Sequence, residues 1–407
     1  LNGDRSKRPV REQERLIDWF LGSVNPDINK DKALAAQVKA AREKLRALAE
    51  TLPQYSEAPV MAFDPTIAQS HIHLGGDYKN LGDAVEPNTP AVLPPLAGGA
   101  RDRLALARWL VSRSNPLTAR VAVNRRWQEY FGIGLVRTSE DFGTQGEAPS
   151  HPELLDWLAA EFVDRGWSMK QIDRLIVTSA AYRQSSHTRK ELEAKDPENR
   201  LLARQSRLRL PAELVRDEAL AVSGLLNPEI GGKSIKPPQP AGVAELAYAN
   251  SVKWVESPGK DRYRRGLYIH YQRTTPYPLL SNFDAPDSTT ACSRRRRSDT
   301  PLQSLNLLND PVFFEAAQAL AVRVLNEAPE DKIGYAFELC LNRPPAARER
   351  ERLGRYLDSE STAFRADVKS SDAMLPVDAA GAPADQRAAW VALSRVLLNL
   401  DEFITRE

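Results

Sequence analysis

The run from Asn115 to Phe162 constrains this chain more than any other. It reads NPLTARVAVNRRWQEYFGIGLVRTSEDFGTQGEAPSHPELLDWLAAEF. The spacing predicts a helix, a compact glycine-rich connection and a second helix. Asn115-Pro116 is a helix start, with Asn as cap and Pro at the first helical position, where its missing N–H costs nothing. Trp127 and Phe131 stand one turn apart and can stack. Gly132 and Gly134 end the helix, since glycine accepts the left-handed backbone found there. Ser150-x-x-Glu153 reads as a capping box. Leu154, Leu155, Leu158, Ala159 and Phe162 then form an apolar stripe, closed by Gly166. Ser168 and Gln171 read as a further box, opening a helix on Ile172, Leu175 and Ile176. Two such helices joined by a tight corner pack as an antiparallel or crossed pair.

The rest of the chain extends this helical body. Helices are expected over 10–22, 31–52, 101–112 (core face Leu104, Ala107, Leu110) and 208–226, where Leu214, Ala221 and Leu225 share a side. Asp310-Pro311 starts another, with Phe313, Ala317, Leu320 and Val324 inward, and 331–342, 346–358 and 385–399 follow. The stretch between the last two reads as a small-residue loop. Strands are expected at VMAFD (60–64), at SHIHLGGDY (70–78), and over Arg264–Arg273, where Leu267, Ile269 and Tyr271 alternate with polar neighbours. Asn80 to Gly99, rich in Pro and Gly, reads as an extended strap. The fold class is therefore mainly α, an α-helical body with a small irregular β part; α+β is the alternative. The expected divisions are a helical segment 1–58, a strand and strap region 59–100, a helical core 101–230, an irregular β-containing region 231–300 and a helical region 301–407 packed with the core.

Composition excludes several classes. A net charge of +2 over 407 residues gives no strong field for nucleic acid or an anionic membrane. No apolar run approaches the roughly 20 residues that span a bilayer. Cys292 and Cys340 are too few for a disulfide framework or a cysteine zinc site. They can be bridged, but two unrelated thiols is the favoured reading. No C-x-x-C-H occurs, so no c-type haem is attached to this chain. The chain begins at Leu1 without a signal peptide, and is expected to be a mature or excised portion of something longer.

Two places carry candidate chemistry. In the first, Asp141, Glu147, Glu153 and Asp156 lie near Arg120, Arg125 and Arg126, with His151 at the start of the second helix. Paired carboxylates can perform acid/base work on a glycosidic bond or bind Ca²⁺. His151 can act as a base or ligand. The competing reading is an Arg–carboxylate network that locks the corner. The second place is FDAPD (283–287) followed by Cys292 and Arg294 to Arg297. Arginines there can grip sulfate, phosphate or carboxylate bidentately. The candidate catalytic set is His151, Asp141, Glu153 and Asp284. The candidate ligand contacts are Arg120, Asn124, Arg125, Arg264, Arg265, Arg294 and Arg295. Glu213 and Asp217, one turn apart, can line a polar pocket with Arg264 and Arg265, or pair internally. Cys292 as nucleophile would need a base, and His270 is the nearest histidine in sequence. His71 and His73 have a metal-ligand spacing but no evident third ligand, so no metal site is assigned.

Several phrases together carry a family resemblance: NPLTARVAVNRRW, FGIGLV, DFGTQGEAPSHPELLDWLAAEF, RLRLPAELVRDEALAVSG, FDAPD, CSRRRRSDTPLQSLNLLNDP and LLNLDEFITRE. Over most of 59–407 the chain resembles the planctomycete-type secreted domain of unknown function. That domain usually ends a large exported protein, after a planctomycete cytochrome c-type domain and a companion helical domain. The resemblance implies export, to the periplasm or beyond the cell, and a haem c on an upstream domain or partner; the upstream haem segment itself is missing here. It implies no reaction. The function expected is an accessory or scaffold domain of a cytochrome c-linked protein, holding an anionic or sugar-like ligand, such as a polysaccharide or a small anion. The alternative is an enzyme acting on complex carbohydrate by acid/base or redox chemistry. An enzyme requires regions 141–156 and 284–297 to converge on one cleft; a scaffold lets each be paired internally. Nucleic-acid binding would need one continuous basic face.

Overall fold

A computed structural model describes residues 30–51, 69–99, 101–243, 254–328, 330–375 and 382–406. The helix expected over 10–22 and the strand at VMAFD lie outside them. The chain divides into two units, Leu1–Glu86 and Pro87–Glu407.

In the first unit, helix α1 (Lys32–Thr51) starts at Asp31, whose carboxylate accepts from the Ala33 and Leu34 N–H groups. Val38 is buried, whereas Leu45 and Leu48 of the same helix are exposed. Strands β1 (Ser70–His73) and β2 (Leu81–Val85) pair antiparallel through a turn in which Gly75 takes φ +63°. A bulge falls between His71 and His73.

The second unit holds two apolar cores. Helix α2 (Arg103–Leu110), capped by Asp102, buries no residue. Its expected core face is exposed at Leu104 and Leu110; its periodicity marked a face, but no described residue covers it. Its Trp109 instead donates to the Pro94 carbonyl of the strap. Helices α3 (Thr118–Phe131), α4 (Pro152–Asp164) and α5 (Met169–Thr178) pack chiefly on one another. Val123, Trp127, Leu158, Phe162, Ile172 and Ile176 fill the space between them. Trp127 and Phe131 stack with ring centres 4.2 Å apart.

The second core draws on residues from Ala212 to Ile404. Strand β3 (Leu208–Arg209) leads into α6 (Ala212–Val222), then α7 (Pro278–Asn282), α8 (Pro301–Asn309) and α9 (Pro311–Glu327). Helices α10 (Lys332–Leu341), α11 (Ala347–Ala366), α12 (Val368–Met374) and α13 (Ala384–Leu398) complete it. Strand β4 (Thr405–Arg406) returns the chain to β3, antiparallel. Asp310 caps α9 through the Val312 N–H, and Phe313, Ala317, Leu320 and Val324 are buried as expected. The architecture is mainly α with short strands.

Several local expectations need correction. Asn115 accepts from the Leu117 and Thr118 N–H groups in the turn before α3, but the helix begins at Thr118 and Leu117 stands at its cap. Neither Ser150 nor Ser168 forms a capping bond. Pro152 sets the start of α4, so His151 becomes the cap and Ser150 falls one residue early. Helix α6 buries Val215, Ala219 and Leu220 and leaves Leu214 exposed, the face opposite to the one expected. Helix α11 runs on to Ala366 and α12 follows, where a loop was expected. The stretch 264–273 is not a strand: it forms a tight turn at Gly266–Tyr268 and two isolated bridges, Asn227 to Arg264 and Ile235 to Ile269. The Gly266 N–H goes to the Asp217 carboxylate at 2.6 Å, not to a ladder. A Cβ on Gly266 would lie 2.9 Å from the Glu213 backbone, so the segment is held by α6.

Candidate functional site

The corner after α3 is a structural lock. Asn124 is fully buried; its amide donates to the Val136 carbonyl at 3.0 Å and its oxygen accepts from the Val136 N–H at 2.8 Å. Any side chain at Gly134 would stand 2.6 Å from that amide. Asp141 folds its own turn by accepting from the Gly143 N–H. Glu147 faces Arg200, and Arg120 pairs with Asp156 at 2.6 Å. His151 touches the Ser150 hydroxyl at 3.0 Å. Glu153 and Arg125 are exposed with no partner among the described residues.

Asp284 sits in the other core's shell. Its carboxylate accepts from the Ser298 N–H and hydroxyl and from the Arg209 guanidinium at 2.5 Å. Burial pushes this carboxyl up, but the Ser298 and Arg209 bonds outweigh that and hold it below its ordinary range. His151 and Asp284 thus have separate partner sets, and neither of the clefts described below is lined by both. Arg264 is buried against the Tyr268 ring, donating to the Lys233, Glu229 and Gly231 carbonyls. Arg265 approaches Asp217, and Arg295 pairs with Glu213 at 2.7 Å. Arg294 is exposed; its carbonyl accepts from the Cys292 thiol, and its side chain has no partner among the described residues. Both cysteines are free: Cys292 is exposed and Cys340 buried. His270 meets Ser234 and the Trp254 ring. Among the described residues, no cluster of His, Cys, Asp and Glu is arranged to hold a metal ion, and no helix is long and apolar enough to cross a membrane.

The structure gathers a different set of residues. An open cleft of about 250 Å³ lies between the end of α3, strands β3 and β4, the first turn of α6 and the arginine run. Arg126, Arg209, Arg297 and Arg406 line it with Glu129. The run that carries Arg297 is pinned at both ends. Gln128 donates to the Ser293 carbonyl, and Asp284 holds Ser298. Gly132, left-handed at φ +82°, lets Leu208 and Arg297 approach the end of α3, since a Cβ there would meet Leu208 at 2.6 Å.

Charge in the cleft is unbalanced. Arg126 pairs with Asp173 at 2.8 Å and Arg209 with Asp284. Among the described residues Arg297 has only Glu129, at 3.7 Å, and its side chain is 23% exposed. Arg406 donates to the Glu129 and Tyr130 carbonyls at the end of α3, and its Nε is buried without a partner. Among the described residues, four cations therefore face three carboxylates. Burial pushes the Arg297 guanidinium below its ordinary range; Glu129 opposes the shift, while Arg406, Arg209 and Arg295 add to it. A second, smaller recess of about 40 Å³ lies between Trp127, Gly134 and Asn199, with room only for water.

A family profile for the PSD1 proteins, described as "Protein of unknown function (DUF1553)", matches residues 102–357, more than half of the chain. The chain belongs to the DUF1553 family. Neither a curated protein nor a solved structure matches it. The matched span of the DUF1553 chain contains Arg126, Arg209 and Arg297 but not Arg406. Sequence reasoning singled out the run at 294–297, yet placed the contacts at Arg294 and Arg295. The pinning residues, Gln128 from far away in sequence and Asp284 from the preceding turn, select Arg297 instead. No signal in the sequence points to Arg406, whose place depends on β3–β4 pairing.

Proposed function

We propose that this DUF1553 chain is an accessory or scaffold domain of an exported, haem-associated protein, and that the arginine cleft holds an anionic ligand. The single observation behind the ligand is Arg297. A guanidinium withdrawn from water, 3.7 Å from its nearest carboxylate and facing other arginines, destabilises the fold unless an anion joins it. Its planar donors match an oxyanion bidentately. Export, a planctomycete origin and a cytochrome c partner, in the same polypeptide or complex, are supported by the long shared phrases of the sequence. The carbohydrate-enzyme alternative has less support, because Asp284 and Asp141 are taken up by local bonds and His151 has a different neighbourhood from Asp284.

Thermal unfolding at constant ionic strength tests the ligand. Acetate raises the midpoint of the native chain in proportion to the logarithm of its concentration, and leaves Arg297→Met unmoved. An equal response in both proteins would sink the reading. For the assembly, cell fractionation is expected to place the protein outside the cytoplasm with a haem-staining partner; recovery from the cytosol without haem would overturn it.

A further inference from the structure

The cleft is lined by two unlike kinds of side chain. Arg297 and Arg406 stand beside Leu208, and Leu208, Leu210, Pro211 and Leu214 make up an apolar wall. The backbone of that apolar wall is already engaged. The Leu210 N–H donates to the Ile404 carbonyl, and the Leu210 carbonyl accepts from Arg209. Pro211 has no N–H, and its carbonyl accepts from Leu214 and Val215. Leu208 and Arg209 pair with β4. A ligand lying on this wall meets no free backbone group there, and the Arg209 side chain within it is taken up by the Ser298, Leu210 and Phe283 carbonyls and by Asp284. A sugar ring would leave its hydroxyls unpaired against it, whereas a flat apolar body gains from the contact. Leu214, 42% exposed, lies at the mouth of the cleft with side-chain surface still to cover.

Charge sets the head group. Among the described residues the excess is one positive charge, from four cations against three carboxylates. A monoanion neutralises it, and a dianionic phosphate would leave a negative charge stranded in a half-buried place. Size is compatible: about 150 Å³ of apolar cavity holds benzene, and the cleft offers about 250 Å³.

From this we infer that the cleft takes a monocarboxylate on a flat apolar body, an arylcarboxylate being the simplest member of the class. The carboxylate lies on Arg297 and Arg406, and the ring lies on Leu208, Pro211 and Leu214. The inference rests on the anion reading above and names its ligand class.

Calorimetric titration of the full chain with benzoate, acetate, phosphate and benzyl alcohol tests it. Benzoate is expected to bind at least about tenfold more tightly than acetate or phosphate, roughly 1.4 kcal/mol, and benzyl alcohol not measurably. Leu214→Ser, at an exposed position that leaves the fold intact, is expected to lower benzoate affinity and leave acetate unchanged. Arg297→Met is expected to abolish both. Equal affinities for benzoate and acetate would overturn the apolar body and leave the anion site standing. Phosphate binding above benzoate would overturn the monoanion argument, and benzyl alcohol binding as tightly as benzoate would overturn the role of the arginines. Failure of every anion to bind would remove both the inference and the reading beneath it.

Discussion

Two arginine sites in this chain are both withdrawn from water, and they meet opposite ends. Arg216, on the inner face of α6, is fully buried, and its donors reach the Arg264 and Arg262 carbonyls at 2.7 and 2.6 Å. Beside it, Asp217 receives the Gly266 N–H. That cation holds a backbone turn in place. Arg297 is less buried but has no bond of comparable quality. Burial therefore does not separate a structural arginine from a binding one. What separates them is whether the surrounding chain meets the terminal guanidinium N–H groups: both ends of Arg216 reach carbonyls, although its Nε is buried without a partner, and those of Arg297 reach only Glu129 among the described residues, at 3.7 Å.

The largest expected effect sharpens the structural side. Arg216→Ala leaves two carbonyls unpaired and a cavity in the second core. It is expected to cost roughly 3–5 kcal/mol in urea unfolding; a loss under about 1 kcal/mol would show that the turn holds without it. Gly132→Ala comes next, at roughly 1–2 kcal/mol, since it forces a left-handed alanine against Leu208. It should also weaken anion binding by shifting a cleft wall. Unchanged affinity would detach Gly132 from the site.

A third arginine offers a pH test. Arg343 grips Glu349 at 2.8 Å and Glu402 at 2.6 Å, tying the start of α11 to the end of the chain. The Arg343 bond first, and then the Ala346 N–H, hold the Glu349 carboxyl at about 2, below its ordinary 4.5. A lowered folded-state value means stability that is present above about pH 4.5 and is lost as pH falls toward 2. Both side chains are more than a third exposed, so the effect is expected to stay under about 1 kcal/mol. Glu349→Gln should flatten the acid limb of stability between those pH values, and an unchanged limb would contradict the assignment. The smallest effect is chemical. An aromatic disulfide reagent should modify one thiol, Cys292, in the native protein without unfolding it. Cys340, whose thiol burial pushes up to about 12, should react only after denaturation. Two reactive thiols in the native state would mean that the second core opens readily.

How much of this was legible in the sequence follows from the range of the forces. Asp310-Pro311, Gly132 and the Trp127–Phe131 stack were readable because each rests on neighbours within a turn or two. The strand expected over 264–273 failed because its backbone is organised by Glu213 and Asp217, some fifty residues earlier. Alternation records which side chains are apolar, but not which groups take the N–H bonds. Helix α6 misled for a related reason: its buried face carries Arg216 and Asp217, which a hydrophobic stripe excludes. The cleft was half visible. The arginine run stood out, but the choice of Arg297 depends on Gln128 and Asp284. Arg406 meets α3 carbonyls from the far end of the chain.

The most direct test of the contrast is the urea unfolding free energy of Arg297→Met against the native chain, without ligand. Removing a structural arginine destabilises; removing a cation that the fold leaves unmet does not. The account predicts a variant as stable as the native chain to within about 0.5 kcal/mol, or more stable. A loss of more than about 2 kcal/mol, on the scale expected for Arg216→Ala, would make Arg297 part of the scaffold and contradict the assignment of the cleft as a binding site.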